Sequence, residues 1–264
     1  MDAGSRVPQN IVTDLDDGQK LYYVCRHEAT VLVERIDNGK LGPPRRIGSA
    51  LAGTHGSYVL LGDSRRFYCL NDQHILQDFV LVGNKWQQGS LAALGVVPSA
   101  GSRIAAVATV DGTIHVCFQD DNSQLKLVSY DDTKNWWVAA GFPPKQAPKD
   151  TSISALVLSD RLHLFYAHDD KSIHDLQLHD GQWTDTQVAL TDTPDEKKSI
   201  RSAPSDGGTY GIEYTNDAGE VYIIDQGKRA LSRTHTSEGV KNAEGAEGYN
   251  WGGCRLYYRP RWYY

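Results

Sequence analysis

Residues 65–86 read RRFYCLNDQHILQDFVLVGNKW. Aromatic and apolar residues gather at the start, and the polar Asn71-Asp72-Gln73 interrupts them. A second apolar run follows in Ile75, Leu76, Phe79, Val80, Leu81 and Val82, until Gly83-Asn84-Lys85 breaks it. That order predicts strand, turn, strand, turn.

The stretch has relatives along the chain: KLYYVCRHEATVLVERIDNG, HVCFQDDNSQLKLVSYDDTKNWW, HLFYAHDDKSIHDLQLHDGQW, GIEYTNDAGEVYIIDQGK and RLYYRPRWYY. With RFYCLNDQHILQDFVLVGNKW they make six copies, starting at Lys20, Arg66, His115, His163, Gly211 and Arg255, with spacings of 46, 49, 48, 48 and 44 residues. Several copies carry a tryptophan near their end: Trp86, Trp137 and Trp183. A further short strand of small residues precedes three of them: RIAAVAT, SISALVL and SIRSAP. No amphipathic helical period appears. Units of three or four strands recurring every 40–50 residues or so predict a β-propeller. A single unit cannot bury both faces of its sheet, so the blades stack around an axis. The innermost strand is crowded, which accounts for its Ala and Ser. The expected fold is all-β, one six-bladed propeller over residues 1–264. Its repeats lie near 10–52, 57–96, 102–142, 151–190, 199–240 and 246–264. The last copy is short, so an N-terminal strand is expected to close the ring.

Composition narrows the partners. The 264 residues are 40% apolar, with no run long enough to span a bilayer. The start, MDAGSRVPQN, lacks the apolar core of a signal peptide, so a cytoplasmic location is expected. The net charge of −6 and the lack of a basic stripe argue against nucleic acid as a partner. Cys25, Cys69, Cys117 and Cys254 form no CxxC pair and sit in apolar settings, as buried free thiols do. No zinc motif, phosphate loop or Ser-His-Asp order is visible, so neither a metal nor a cofactor is expected.

The blade RRFYCLNDQHILQDFVLVGNKWQQGSLAALG resembles those of the fungal fucose-specific lectins of the Aleuria type, which are six-bladed propellers. The resemblance runs through all six copies and is strongest in blades 2 to 4. It implies sugar sites between blades, each with an Arg on the second strand, a Glu on the third and an aromatic from the next blade. Arg donates a fork of hydrogen bonds, the carboxylate accepts from hydroxyls, and the ring packs on the sugar's apolar side. Carried over copy by copy, blade 2 offers Arg66 with Asp78. Blade 4 offers His163 with Asp175. Blade 3 has His115 facing Lys126 or Leu127, and blade 5 has only Gly211 and Ile223. Blade 1 has Lys20, and blade 6 has Arg255 without an acid strand. On this alignment no copy keeps a full Arg–Glu pair.

Three functions fit: a lectin with degenerate fucose or glycan sites, an enzyme on a lectin scaffold, and a protein-binding scaffold. The chain also resembles lectin-like propellers of fungal natural-product clusters. Those imply a cofactor-independent pericyclase, joining a tropolone-type quinone methide to a humulene-type terpene by a hetero-Diels–Alder reaction. Such chemistry needs a pocket that brings two partners together and a donor at a developing oxyanion. Loss of water to form the quinone methide suits a histidine. The pattern of lost sugar residues favours this pericyclase, narrowly, over the lectin. Its catalytic candidates are Arg66, His115 and His163. Asp78, Asp175, Arg201, Trp251 and Tyr257 are the candidates for contacting small, apolar substrates. Each has a plainer reading. Arg66–Asp78 and His163–Asp175 would also be cross-strand pairs. Arg201 would line the axial channel or reach its mouth. Trp251, Tyr257, Tyr258 and Trp262 would be core packing. The sequence leaves room for a homodimer.

Overall fold

The computed structural model describes residues 12–13, 21–37, 40–61, 64–131, 136–139, 141–189, 200–205, 208–225, 228–236 and 239–242. Over these the chain is built of strands, apart from one 3-10 turn at Leu91–Leu94. Five antiparallel sheets follow one another along the sequence. Blade 1 comprises Val12–Thr13, Leu21–Arg26, Val31–Asp37 and Arg45–Ser49. Blade 2 comprises Ser57–Leu61, Ser64–Leu70, Leu76–Val82 and Lys85–Gln88. Blade 3 comprises Ala105–Ala108, Ile114–Gln119, Gln124–Asp131 and Trp136–Ala139, with Lys145–Gln146 also paired to its third strand. Blade 4 comprises Ile153–Leu158, Arg161–Ala167, Ile173–His179 and Gln182–Ala189. Blade 5 comprises Ile200–Ser205, Thr209–Thr215, Glu220–Asp225 and Lys228–Thr236, with Gly239–Asn242 added at its edge. The sixth copy, with Trp251 and Tyr257, and the 190–198 loop lie outside the described residues.

The second and third strands of each of the five described blades are joined by a five-residue turn, of residues 27–31, 71–75, 120–124, 168–172 and 216–220. In each, the first residue's N–H donates to the last residue's carbonyl at 2.9–3.0 Å. Asn71, Asp120 and Asn216 reinforce it by accepting the N–H of Ile75, Gln124 and Glu220 on their side-chain oxygens. This is the local bond that makes Asn and Asp turn formers. In blades 2 to 5 the fourth residue of the turn is left-handed, His74 (φ 63°), Ser123 (φ 61°), Lys171 (φ 66°) and Gly219 (φ 81°), whereas Thr30 of blade 1 keeps the ordinary negative φ.

The core lies between blades. One apolar cluster joins Tyr22, Val24 and Leu32 of blade 1 to Tyr58 and Phe67 of blade 2. A second joins Tyr68 and Leu76 to Val116, Tyr130 and Trp137. A third runs from Cys117 and Leu125 to Leu164 and Tyr166, and a fourth from Phe165 and Ile173 to Ile212 and Tyr214. Blades 2, 3 and 4 each bury both faces against their neighbours, as radial stacking requires.

The first strands pack side by side: blade 2 against blade 3, blade 3 against blade 4, blade 4 against blade 5. Their serines have a role beyond small size. Ser57 Oγ accepts the Ala106 N–H at 2.9 Å, Ser152 Oγ that of Ile200 at 2.7 Å, and Ser154 Oγ that of Ser202 at 3.0 Å. These partners are 49, 48 and 48 residues apart, one repeat each. The hub is thus stitched at the junctions of blades 2 and 3 and of blades 4 and 5 by hydroxyls that accept backbone N–H groups of the next blade.

Candidate functional site between the blades

The shared turn fixes which positions are equivalent. Four residues before the end of the second strand stand Tyr22, Arg66, His115, His163 and Gly211. Two residues into the paired third strand stand Glu34, Asp78, Leu127, Asp175 and Ile223. Blades 2 to 5 agree with the sequence alignment. Blade 1 does not: Tyr22, rather than Lys20, occupies the arginine position, and Glu34 retains the acid. The aligned spacing of 46 residues into blade 2 was two too long.

Between blades 2 and 3, Arg66 Nη1 donates to Asp78 Oδ2 at 3.1 Å, and the guanidinium lies 4.4 Å from the centroid of the Tyr130 ring of blade 3. Asp78 is wholly buried; the Leu91 N–H donates to its Oδ1 at 2.9 Å. Gly89 follows the fourth strand because a Cβ there would collide with the Asp78 carboxylate. Burial raises the Asp78 pKa above the ordinary carboxylate range, partly countered by the Leu91 N–H and Arg66. Trp137 packs edge-on against Tyr68 at 5.9 Å. The Tyr68 hydroxyl and Trp137 Nε1 are buried with no hydrogen-bond partner among the described residues. The interface therefore gathers a partly exposed guanidinium and two unsatisfied donors around one carboxylate that is already held.

Between blades 1 and 2, Glu34 is buried and takes its donors mainly from the next blade. Tyr58 Oη donates at 2.6 Å, Arg65 Nη1 at 2.9 Å and Trp86 Nε1 at 3.4 Å, with Arg45 at 3.5 Å from blade 1 itself. Arg65 lies over the Tyr22 ring, 4.9 Å from its centroid. Burial and the Glu34 charge push the Tyr58 phenol far above its usual range. This acid escaped the sequence alignment. Its signal was the run Val33-Glu34-Arg35 just past the turn, visible once the turn is the anchor.

Between blades 4 and 5, His163 Nδ1 lies 2.9 Å from Asp175 Oδ2, which also accepts from Gln177 Nε2 at 2.7 Å and Tyr210 Oη at 3.1 Å. The His163 ring packs on Phe165 and Tyr210, at 6.0 and 5.2 Å between centroids. Asp175 Oδ1 is buried without a partner among the described residues. Burial, followed by Asp175, pushes the Tyr210 phenol up. Between blades 3 and 4 no acid stands in the equivalent place. His115 Nδ1 instead meets Ser129 Oγ at 2.7 Å, and burial lowers its pKa.

Arg66, His115 and His163 are thus three copies of one position, each in its own sheet with its own partner; they do not share a site. Asp78 and Asp175 are brought to Arg66 and His163. Arg201 lies on the innermost strand of blade 5, paired in register with Glu213. Trp251 and Tyr257 fall outside the described residues. The aromatic expected from the next blade is present at several interfaces: Trp86 and Tyr58, Tyr130 and Trp137, and Tyr210. Among the described residues no helix is long and apolar enough to cross a membrane.

A ring of four-stranded blades, with basic, acidic and aromatic groups meeting at the blade junctions, defines a lectin-type propeller. The sequence model of the fungal fucose-specific lectins matches residues 42–204, more than half of the chain, and the chain belongs to that family. The fucose-specific lectin of Aleuria aurantia is 29% identical over 125 residues, which is 45% of this chain and only 39% of that protein's length. A crystal structure of the Aleuria aurantia lectin, a six-bladed β-propeller, superposes with a TM-score of 0.62 at 20% identity, covering 80% of this chain and 73% of that one. The SapL1 lectin in complex with α-methyl fucoside gives a TM-score of 0.72 at 12% identity, covering 90% and 81%. At such identities these structures establish the fold: that of the six-bladed β-propellers.

Proposed function

We propose that this chain is a small-molecule-binding propeller acting through the cleft between blades 2 and 3, and that its ligand is a hydroxylated, glycoside-like molecule. The supporting observation is the Arg66–Asp78 pair set against Tyr130. Arg66 keeps 15% of its side chain exposed while Asp78 keeps none. The guanidinium is therefore the group within a ligand's reach, and the carboxylate fixes its orientation. A guanidinium carries donors and no acceptor, so the cleft suits acceptor oxygens. The sequence alone leaned the other way, because no Arg–Glu pair survived in its alignment. A retained Glu34 and an assembled Arg66–Asp78–Tyr130 group shift the weight toward binding. Family membership supports the same reading. The test is calorimetric titration with α-methyl-L-fucoside. Weak binding near the millimolar range, worth about 4 kcal/mol, is expected, and Arg66→Ala should abolish it. Binding that ignores Arg66→Ala, or no heat at tens of millimolar, overturns the reading.

The second reading is the cofactor-independent pericyclase, and the cluster between blades 4 and 5 favours it. His163 is held by Asp175 between two aromatic rings with the Tyr210 hydroxyl close by. That combination supplies an acid–base group and a hydrogen-bond donor within apolar walls. Incubation with a quinone-methide precursor and a humulene-type alkene tests it. Wild type should outpace buffer, and His163→Ala should lose about a hundred- to a thousandfold in rate. Identical rate and product ratio in buffer end this reading without touching the first.

A further inference from the structure

The hairpin turn of blade 4 carries a group of side chains that neither reading uses. His168 opens the turn, Asp170 lies within it, and His174 is the second residue of the following strand. One atom from each falls within 4.8 Å of the other two. Asp170 Oδ1 is 3.1 Å from His168 Nδ1, and Asp170 Oδ2 is 3.2 Å from His174 Nε2. The two imidazoles stack at 4.3 Å with 23° between their planes, so both present nitrogen to the same carboxylate.

We propose that His168, Asp170 and His174 form a binding site for a divalent transition-metal ion of the zinc type. A tetrahedral ion with bonds of about 2.0 Å spaces its ligand atoms roughly 3.3 Å apart. Each imidazole already stands about that far from one Asp170 oxygen, His168 Nδ1 from Oδ1 and His174 Nε2 from Oδ2. Two imidazoles and one carboxylate suit Zn2+, Ni2+ or Cu2+ rather than Ca2+ or Mg2+, which prefer all-oxygen shells.

The surroundings match what a metal-binding histidine needs. His174 Nδ1 lies 3.0 Å from Asp185 Oδ1, so a carboxylate fixes the ring while Nε2 points to the site. A carboxylate on the far nitrogen orients the ring and raises its basicity. Asp185 is anchored in turn by Lys145 Nζ at 2.8 Å and Tyr166 Oη at 3.1 Å. The Ser172 N–H donates to Asp170 Oδ1 at 3.1 Å, and the Ser172 hydroxyl bonds the same oxygen, which fixes the carboxylate and leaves Oδ2 toward His174. Competing contacts are few: the Asp170 N–H donates to His168 Nδ1 at 3.2 Å and would yield to the ion. A register shift between Ile173 and His174 sets the ring's aim, as bulges commonly do. Three protein ligands leave at least one position for water or another oxygen donor.

The test uses the full chain with Zn2+ for calorimetry and native mass spectrometry, and Co2+ for its visible d–d absorption. One ion per chain at micromolar affinity is expected. His174→Ala and Asp170→Asn should each weaken it at least tenfold. Asp185→Asn, which touches no metal, should weaken it by about ten- to a hundredfold. His74→Ala, at the turn of blade 2, should change nothing. Circular dichroism of every variant guards against unfolding, and Asp170→Asn at an exposed turn is the variant least able to disturb the core. Binding weaker than millimolar, or binding that survives the His168→Ala/His174→Ala double change, overturns the proposal.

Discussion

Glu34 of blade 1 is neutralised by Arg65 of blade 2, Nη1 to Oε1 at 2.9 Å, and both lie at the junction between their sheets. Removing one member of a buried pair strands the other's charge, which costs about 3–5 kcal/mol, whereas replacing both by apolar groups is often neutral. Glu34→Ala should therefore lower unfolding free energy by about that amount in urea titrations. The double change Glu34→Leu/Arg65→Leu should recover most of it. Equal losses in the single and double variants would show that the pair contributes only through packing.

Gly89 leaves the space that the Asp78 carboxylate fills. Gly89→Ala should push Asp78 off Arg66 at a cost of about 1–3 kcal/mol, the usual scale of overpacking. Fucoside binding should fall with it, because Arg66 loses its anchor. Unfolding curves and calorimetry on the same variant check both halves. A stable Gly89→Ala protein with unchanged heats contradicts the proposed role of Asp78.

The three cysteines among the described residues, Cys25, Cys69 and Cys117, are buried, and no disulfide joins any two of them. Burial pushes the Cys69 thiol up to about 12 and the Cys117 thiol higher still, so neither is a nucleophile at neutral pH. A thiol reagent should titrate none of the three in the native protein at pH 8. All three should appear in denaturant without a reductant. Fast native reaction that maps to Cys69 or Cys117 would mean that the blade junctions open readily.

Two groups, half-buried His115 and buried Asp78, respond to acid with opposite sign. The His115 pKa is lowered in the fold, so protonation favours the unfolded chain. Its contribution is intact above the ordinary imidazole pKa and is lost as pH falls below it. The Asp78 pKa is raised, so the folded state binds its proton more tightly. Its contribution improves as pH falls through the folded value toward the ordinary carboxylate range. Urea midpoints measured from pH 7 to 4 should show His115→Gln gaining on wild type. Over the same range Asp78→Asn should lose ground.

The propeller was legible because repetition needs no chemistry to be seen. Strand, polar turn and strand recur, and Trp86, Trp137 and Trp183 all fall on fourth strands as their spacing implied. The site was half legible. Arg66 with Asp78 and His163 with Asp175 came from carrying the lectin positions over the aligned repeats, and the structure pairs each acid with the residue twelve positions before it. Glu34 was missed because the aromatic start of blade 1, KLYYVC, slid two positions against the other copies, and apolar residues align equally well in either frame. The turn was the better ruler, since its bonds tolerate no change of length. Grouping across blades was illegible. Arg65 reaching Glu34, and Tyr130 lying over Arg66, depend on how neighbouring sheets are set at an angle, which no single repeat encodes.

The hub serines point to how such a ring can grow and diversify. The hydroxyl on one blade's first strand serves the backbone of its successor, as Ser57 serves Ala106 and Ser154 serves Ser202. A copy of blade 2 or blade 4 therefore arrives carrying its own fastener, and needs from its successor only a backbone N–H that any residue but proline provides. Inheritance of the joint is separated from inheritance of the ligand chemistry, which sits farther out on the second and third strands. Position 66 and its counterparts can pass from arginine to histidine to glycine while the axle stays the same.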